Sequence, residues 1–225
     1  MTFSIAARCS RTGMFGMALS SSSPAVAARC AHALAGVGAV ATQNITDPRL
    51  GPTGLELLAG GLDAETALAQ LVDRAGETAP YRQLTMVDAQ GRTAAHSGAR
   101  ALGRHSHFCA QDAVAAGNML VDPALPQAMV EAFLARTDAH LAERLLAAMH
   151  RALEVGGEEG PVHSAGLLVV DREAWPLVDL RVDWAESPIA GLQTLWELWE
   201  PQMNDYVIRG IDPTQAPSYG VPGDP

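Results

Sequence analysis

Thr2 stands directly behind the initiator methionine and opens the apolar run Thr2-Phe3-Ser4-Ile5-Ala6-Ala7-Arg8. Aminopeptidases that trim Met1 favour a small following side chain, and trimming would leave Thr2 with a free α-amine beside its own hydroxyl. Such an amine has an ordinary pKa of roughly 7.7–8.0, so near neutral pH part of it is free to accept a proton. Nucleophile and base then share one residue, the N-terminal threonine arrangement of covalent catalysis. The alternative is that Thr2 is simply the β-branched first residue of a strand.

A nucleophile needs donors for the oxyanion it creates. Gly117-Asn118 closes an extended apolar segment, and a side-chain amide beside a glycine can aim an N–H at developing negative charge. On the residues alone a tight turn in which Asn takes a positive φ is the simpler account. Thr42-Gln43-Asn44 ends another apolar run; buried side chains of this kind need partners, so they bridge structure or line a pocket. In Ser20-Ser21-Ser22-Ser23, read first as turn chemistry, Ser20 and Ser22 are the pair that could face a pocket. His105, His107 and Cys109 would share a strand face by alternation, but a zinc site of imidazole and thiolate wants a fourth ligand that no spacing supplies, so no metal is assigned. His96 and Ser97 are strand neighbours pointing opposite ways, which discounts a Ser–His pair. Cys30 reads as a small buried residue. No GxSxG elbow, Walker sequence, HExxH or dinucleotide fingerprint occurs, and no cofactor is expected.

The composition narrows the chemistry further. All 15 residues of the Lys+Arg set are arginine. That excludes a P-loop lysine, a Schiff-base lysine and a Ser–Lys dyad, and with them any threonine mechanism that borrows a neighbouring lysine. The net charge of −10, with no basic patch or helix, argues against nucleic acid or an anionic membrane as partner. It also disfavours anionic substrates, unless an arginine such as Arg8 neutralises them locally. No stretch approaches the ~20 apolar residues of a membrane span. Arg8 and Arg11 ahead of Met14–Leu19 loosely imitate a secretory signal, but the apolar run is short and interrupted. Three scattered cysteines suit a reducing compartment, and a cytoplasmic location is expected.

The elements that must position these residues follow from periodicity and punctuation. Thr2–Cys9 and Met14–Ser20 read as a hairpin around Ser10-Arg11-Thr12-Gly13. Ala25–Leu34 is ambiguous between strand and helix, and Gly36–Gln43 is a buried strand. Pro52–Leu58 and Ala64–Ala75, the second capped by Asp63, are helices. Tyr81–Asp88 and Arg92–Ser97 form a hairpin, and Phe108–Leu120 is extended. Helices Pro126–Ala135 and His140–Val155 follow. A last hairpin, Ala165–Asp171 with Leu177–Trp184, alternates Val178, Leu180 and Val182 with Asp179, Arg181 and Asp183, one face buried and one wet. Ser187 then caps a helix bearing Ile189, Leu192, Leu195, Trp196 and Trp199. Strand runs alternating with helix pairs predict an α/β (α+β) fold of two mainly antiparallel sheets between helical layers. One domain over residues 1–210 and a tail over 211–225 with Pro213, Pro217 and Pro222 are expected.

Five blocks in order carry a resemblance: Thr-Phe-Ser-Ile-Ala-Ala-Arg at 2–8, Gly-Val-Gly-Ala-Val-Ala-Thr-Gln at 36–43, Val-Asp-Ala-Gln-Gly-Arg at 87–92, Gly-Asn-Met-Leu at 117–120 and Val-Asp-Leu-Arg-Val-Asp at 178–183. Together they resemble a bacterial family of unassigned function that is grouped with the N-terminal-nucleophile (Ntn) hydrolases. The resemblance runs from Thr2 to about Arg209 and implies a four-layer αββα sandwich and a homodimer or higher homo-oligomer. It makes Thr2 the leading nucleophile; from the residues themselves Asn118 is the candidate oxyanion donor, and Ser22, Thr42, Gln43 and Arg8 are candidate substrate-binding residues. The implied activity is hydrolysis of a small or cyclic amide; the alternative is a catalytically silent ligand-binding or assembly protein on the same scaffold. Two departures bear on this choice: Ser97-Gly98 stands where that family usually has Thr-Gly, and Ala116 where a Gln is usual. Either changes a wall of the expected site.

Overall fold

The computed structural model describes residues 1–218 and 220. In chain order its strands and helices are β1 (Thr2–Arg8), β2 (Phe15–Ser21), α1 (Ala27–Cys30), β3 (Ala31–Leu34), β4 (Gly38–Asn44), α2 (Leu50–Ala59), α3 (Ala64–Ala75), β5 (Arg82–Asp88), β6 (Thr93–Ser97), β7 (Ser106–Ala110), β8 (Ala113–Asn118), α4 (Leu125–Leu134), α5 (Leu141–Glu154), β9 (Ser164–Val170), β10 (Val178–Val182), α6 (Pro188–Trp199) and α7 (Met203–Ile211). Six strands form one antiparallel sheet in the order β10-β9-β2-β1-β8-β7, and four form a second in the order β3-β4-β5-β6. Helices α4, α5 and α6 cover the outer face of the larger sheet, and α2 with α3 covers the smaller one. The inner faces meet, β1 against β4, β5 against β8 and β6 against β7. This is the four-layer αββα arrangement.

Alternation along β1 decides what reaches each layer. Phe3, Ile5 and Ala7 join Met129, Phe133, Leu145 and Met149 in the core beneath α4 and α5. Ala6 instead packs with Met17, Ala39, Ala41 and Val87 between the sheets, so Thr2 and Ser4, in phase with Ala6, also point inward. The inner layer is built largely of small residues, which lets the sheets close around polar side chains. Under α2 and α3 a separate core forms from Val40, Leu57, Leu68, Leu71, Leu84 and Met86. Asp63 caps α3 through the Thr66 N–H at 2.7 Å.

Several readings of the sequence are refined. The ambiguous Ala25–Leu34 segment is both things, one helical turn followed by β3. Phe108–Leu120 is two strands folded back at Gln111-Asp112, where Asp112 takes φ 65°. The α6 helix packs inward as expected, with Trp196 buried and stacked on His140 at 5.0 Å, but Ser187 makes no side-chain cap. Helix α7, beyond the elements expected from the sequence, follows the turn at Pro201 and runs from Met203 to Ile211. Beyond it a short turn spans Pro213–Gln215, and Pro222 lies outside the described residues.

Candidate active site at the end of the first strand

Thr2 and Asn118 face each other across β1 and β8, and on the other side of β1 Ser21 continues the pairing that sets Phe3 opposite Ser20. Thr2 Oγ lies 3.3 Å from Ser21 Oγ and donates to the Met1 carbonyl oxygen at 2.5 Å. Ser21 Oγ donates to that same oxygen. Two hydroxyls thus converge on one acyl oxygen, and with Met1 in place Thr2 is only 5% exposed.

Behind Thr2 runs a buried polar chain that joins the two sheets. Ser4 Oγ donates to Gln43 Oε1 at 2.6 Å, and Gln43 Nε2 donates to Gln83 Oε1 at 2.8 Å. Asn118 Nδ2 donates to the same Gln83 oxygen at 3.1 Å. Gln83 Nε2 in turn reaches Ser97 Oγ at 2.9 Å and the Gly117 carbonyl at 3.0 Å. The chain forms because residues 4, 43, 83 and 118 all fall on inward positions of strands whose neighbours there are small. Ser97 and Ala116 border this same network: Ser97 lies opposite Gln83, and Ala116 opposite Ser4.

Asn118 is the last residue of β8, and the positive φ belongs to its neighbour Met119 (52°). That overturns the tight-turn account of Asn118. A non-glycine residue held there is costly and persists only where its surroundings enforce it. Here Met119 N–H is tied to the Leu102 carbonyl at 3.0 Å, and its own carbonyl accepts from Glu159 N–H at 2.8 Å. Asn118 Oδ1 is buried without a hydrogen-bond partner.

The loop after α5 forms the wall beside Met1. Glu158 bridges Leu120 in antiparallel fashion, and His163 N–H donates to the Ser21 carbonyl at 2.8 Å. Glu158 is 4% exposed. Its Oε2 accepts from the Ser22 backbone N–H at 3.3 Å, while Oε1 has no partner. Burial pushes its pKa up to about 7, against the opposing pull of the nearby α-ammonium and of Ser22.

The expected binding residues divide. Gln43 is part of the polar chain, and Ser22 contributes its backbone N–H to Glu158. Thr42 is one strand position out of phase: it points to the helical side, where its hydroxyl donates to the Asp47 carbonyl at 3.2 Å. Arg8 stands at the opposite end of β1, six residues or about 20 Å from Thr2, and pairs with Asp112 at 3.0 Å. Neither lies beside Thr2. Of the serine run, Ser21 faces Thr2, while Ser20 donates to the Ser164 carbonyl at 2.8 Å. Ser21, Gln83 and Glu158 went unrecognised as site residues; pairing Thr2 with its hairpin partner by register would have found Ser21. His107 Nδ1 meets Ser97 Oγ at 3.0 Å, and His105 Nδ1 meets the Gly103 carbonyl at 3.0 Å.

The chain matches the model of a family of unknown function, DUF1028, over residues 2–192. The crystal structure of a Silicibacter pomeroyi protein with the same family designation is similar to it, at 31% sequence identity and a TM-score of 0.81, with 88% of each chain covered. Another solved structure, Anbu (ancestral beta-subunit) from Yersinia bercovieri, shares 12% identity and a TM-score of 0.42 over 91% of this chain and 96% of its own, a likeness too slight to carry an argument. No curated protein matches the chain. No helix among the described residues is long and apolar enough to cross a membrane. With the family pattern running through both sheets and the helices that cover them, the chain belongs to the DUF1028 family of unknown function.

Proposed function

We propose that the protein is an amidohydrolase of the Ntn type that cleaves a small or cyclic amide through Thr2, once the peptide bond before Thr2 has been removed. The observation that carries this reading is the convergence of Thr2 Oγ and Ser21 Oγ on the Met1 carbonyl oxygen at the strand end. Trimming vacates the acyl position and frees the Thr2 α-amine beside the hydroxyl.

Thr2 Oγ then attacks the substrate carbonyl carbon. Its proton passes to the α-amine, directly or through one water, and on to the leaving nitrogen as the C–N bond breaks. Water hydrolyses the resulting ester with the same amine as base, releasing the carboxylic acid and restoring the hydroxyl. Ser21 Oγ and the second N–H of Asn118 Nδ2 are the donors available to the oxyanion. Gln83 orients that amide, and no lysine is needed. In this reading the substrate is a small molecule and the working form a homodimer or larger, supported by exposed apolar side chains such as Leu198 (63%) and Ile211 (59%). The free cysteines Cys9, Cys30 and Cys109 suit the cytoplasm.

A second reading keeps the scaffold without turnover, as a ligand-binding or assembly protein; the burial of Thr2 under Met1 favours it. Intact mass of the natively produced protein, followed by trapping with an amide-mimicking electrophile, separates the two. Loss of Met1 and an adduct that disappears in Thr2→Ala supports the hydrolase. Uniform retention of Met1, or label scattered elsewhere, leaves the silent scaffold.

A further inference from the structure

Met1 is held at two points, each with a counterpart in an acyl substrate. Its carbonyl oxygen takes the hydroxyls of Thr2 and Ser21. The end of its side chain lies against Gly160, where an added Cβ would come within 3.2 Å of Met1 Cε and 3.8 Å of Sδ. Gly160 and Glu158 both line a groove of about 370 Å³ that continues past Pro161 and Val162 to Leu153 and Ile189. The groove wall is mainly apolar, and within it the buried Glu158 Oε1 has no partner.

A buried acceptor left unmet costs free energy that a ligand's donor would recover. The recovery is greater when the donor is charged, because charge-assisted hydrogen bonds are the stronger kind. An acyl group bearing a carboxylate would instead meet like charge on Glu158. We propose, resting on the Thr2 reading above, that this groove is the acyl site for α-aminoacyl amides. Glu158 takes the substrate's free amine, Ser21 Oγ donates to its carbonyl oxygen while Thr2 Oγ faces the carbonyl carbon, and an uncharged side chain of about methionine's length runs along Gly160. The Met1 carbonyl and the end of its side chain lie where those of a substrate's acyl half would, and the absence of a side chain at Gly160 makes the room.

The test is calorimetric titration of the chain beginning at Thr2, released from an N-terminal fusion, with methioninamide, N-acetylmethioninamide and glycinamide, while mass spectrometry follows hydrolysis in the same samples. Methioninamide is expected to bind roughly ten-fold or more tightly than its acetylated form, and Glu158→Gln to abolish that preference. Gly160→Val is expected to weaken methioninamide by a similar factor and leave glycinamide unchanged, an arm independent of whether the Glu158 variant folds. Equal affinity for free and acetylated amides, no binding of methioninamide, or a preference that survives Glu158→Gln overturns the proposal. Binding of methioninamide without hydrolysis keeps the acyl site and removes the hydrolase. Hydrolysis confined to acetylated amides keeps the hydrolase and removes the acyl site.

Discussion

Gln43 and Gln83 lie directly opposite each other on β4 and β5, and the 2.8 Å hydrogen bond between their side chains carries a polar chain from Ser4 in one sheet to Asn118 in the same sheet by way of the other. Asn118 is therefore positioned by a residue of the facing sheet, and the geometry of the strand-end residues depends on how the two sheets stack.

Gln83→Ala should remove the shared acceptor of Gln43 and Asn118 and the donor to Ser97 and Gly117 in one step. Buried groups left without partners cost about 1–3 kcal/mol each, partly relieved by relaxation. A loss of about 2–4 kcal/mol in urea unfolding is expected, with turnover reduced in the remaining folded protein. A change under about 0.5 kcal/mol would mean that the chain is not a stabilising network.

Thr2→Ser keeps the hydroxyl and the small side chain that favours Met1 removal, whereas Thr2→Ala keeps only the latter. In the hydrolase reading Thr2→Ser retains measurable turnover and electrophile labelling, and Thr2→Ala loses both. The loss in rate should be on the order of 10³-fold or more, as for other covalent nucleophiles. Equal labelling of the two variants at another residue would move the nucleophile elsewhere.

Glu158 makes stability depend on pH in a defined window. Its folded pKa of about 7 lies above the ordinary 4.5. Below pH 4.5 both states hold the proton. Between 4.5 and 7 the unfolded chain ionises first, so stability contributed by the protonated carboxyl is lost as pH rises, and the slope ends above 7. Urea unfolding from pH 4.5 to 8 should show a fall of about 1–3 kcal/mol that Glu158→Gln removes. A wild type and a variant with parallel profiles would refute the assignment.

Arg8→Ala should leave the strand-end site untouched. Its pairing with Asp112 is partly solvent-exposed, and such pairs contribute about 1 kcal/mol or less. A small drop in melting temperature with an unchanged KM is expected, whereas a raised KM for an anionic amide would return Arg8 to substrate binding.

The layered architecture was legible in the chain because both periodicities are strong and local. The hairpin at Ser10–Gly13, the Asp63 cap and the wet face of β10 follow from residues only a few positions apart. Family blocks pointed to Thr2, and alternation alone put Ser4 in phase with Thr2.

Register and stacking were decided only by the tertiary structure. Whether Ser20, Ser21 or Ser22 meets Thr2 turns on a single step of strand pairing, and a one-residue shift reverses which face each side chain occupies. The same parity separates Gln43, which points between the sheets, from Thr42, which points to the helices. Arg8 is near Thr2 in sequence, yet an extended strand carries it to the far end of the sheet. Gln83 and Glu158 meet the site from 81 and 156 residues along the chain. No local pattern marks them, because their roles arise from sheet-on-sheet contact and from a loop pinned to Leu120 by a single bridge.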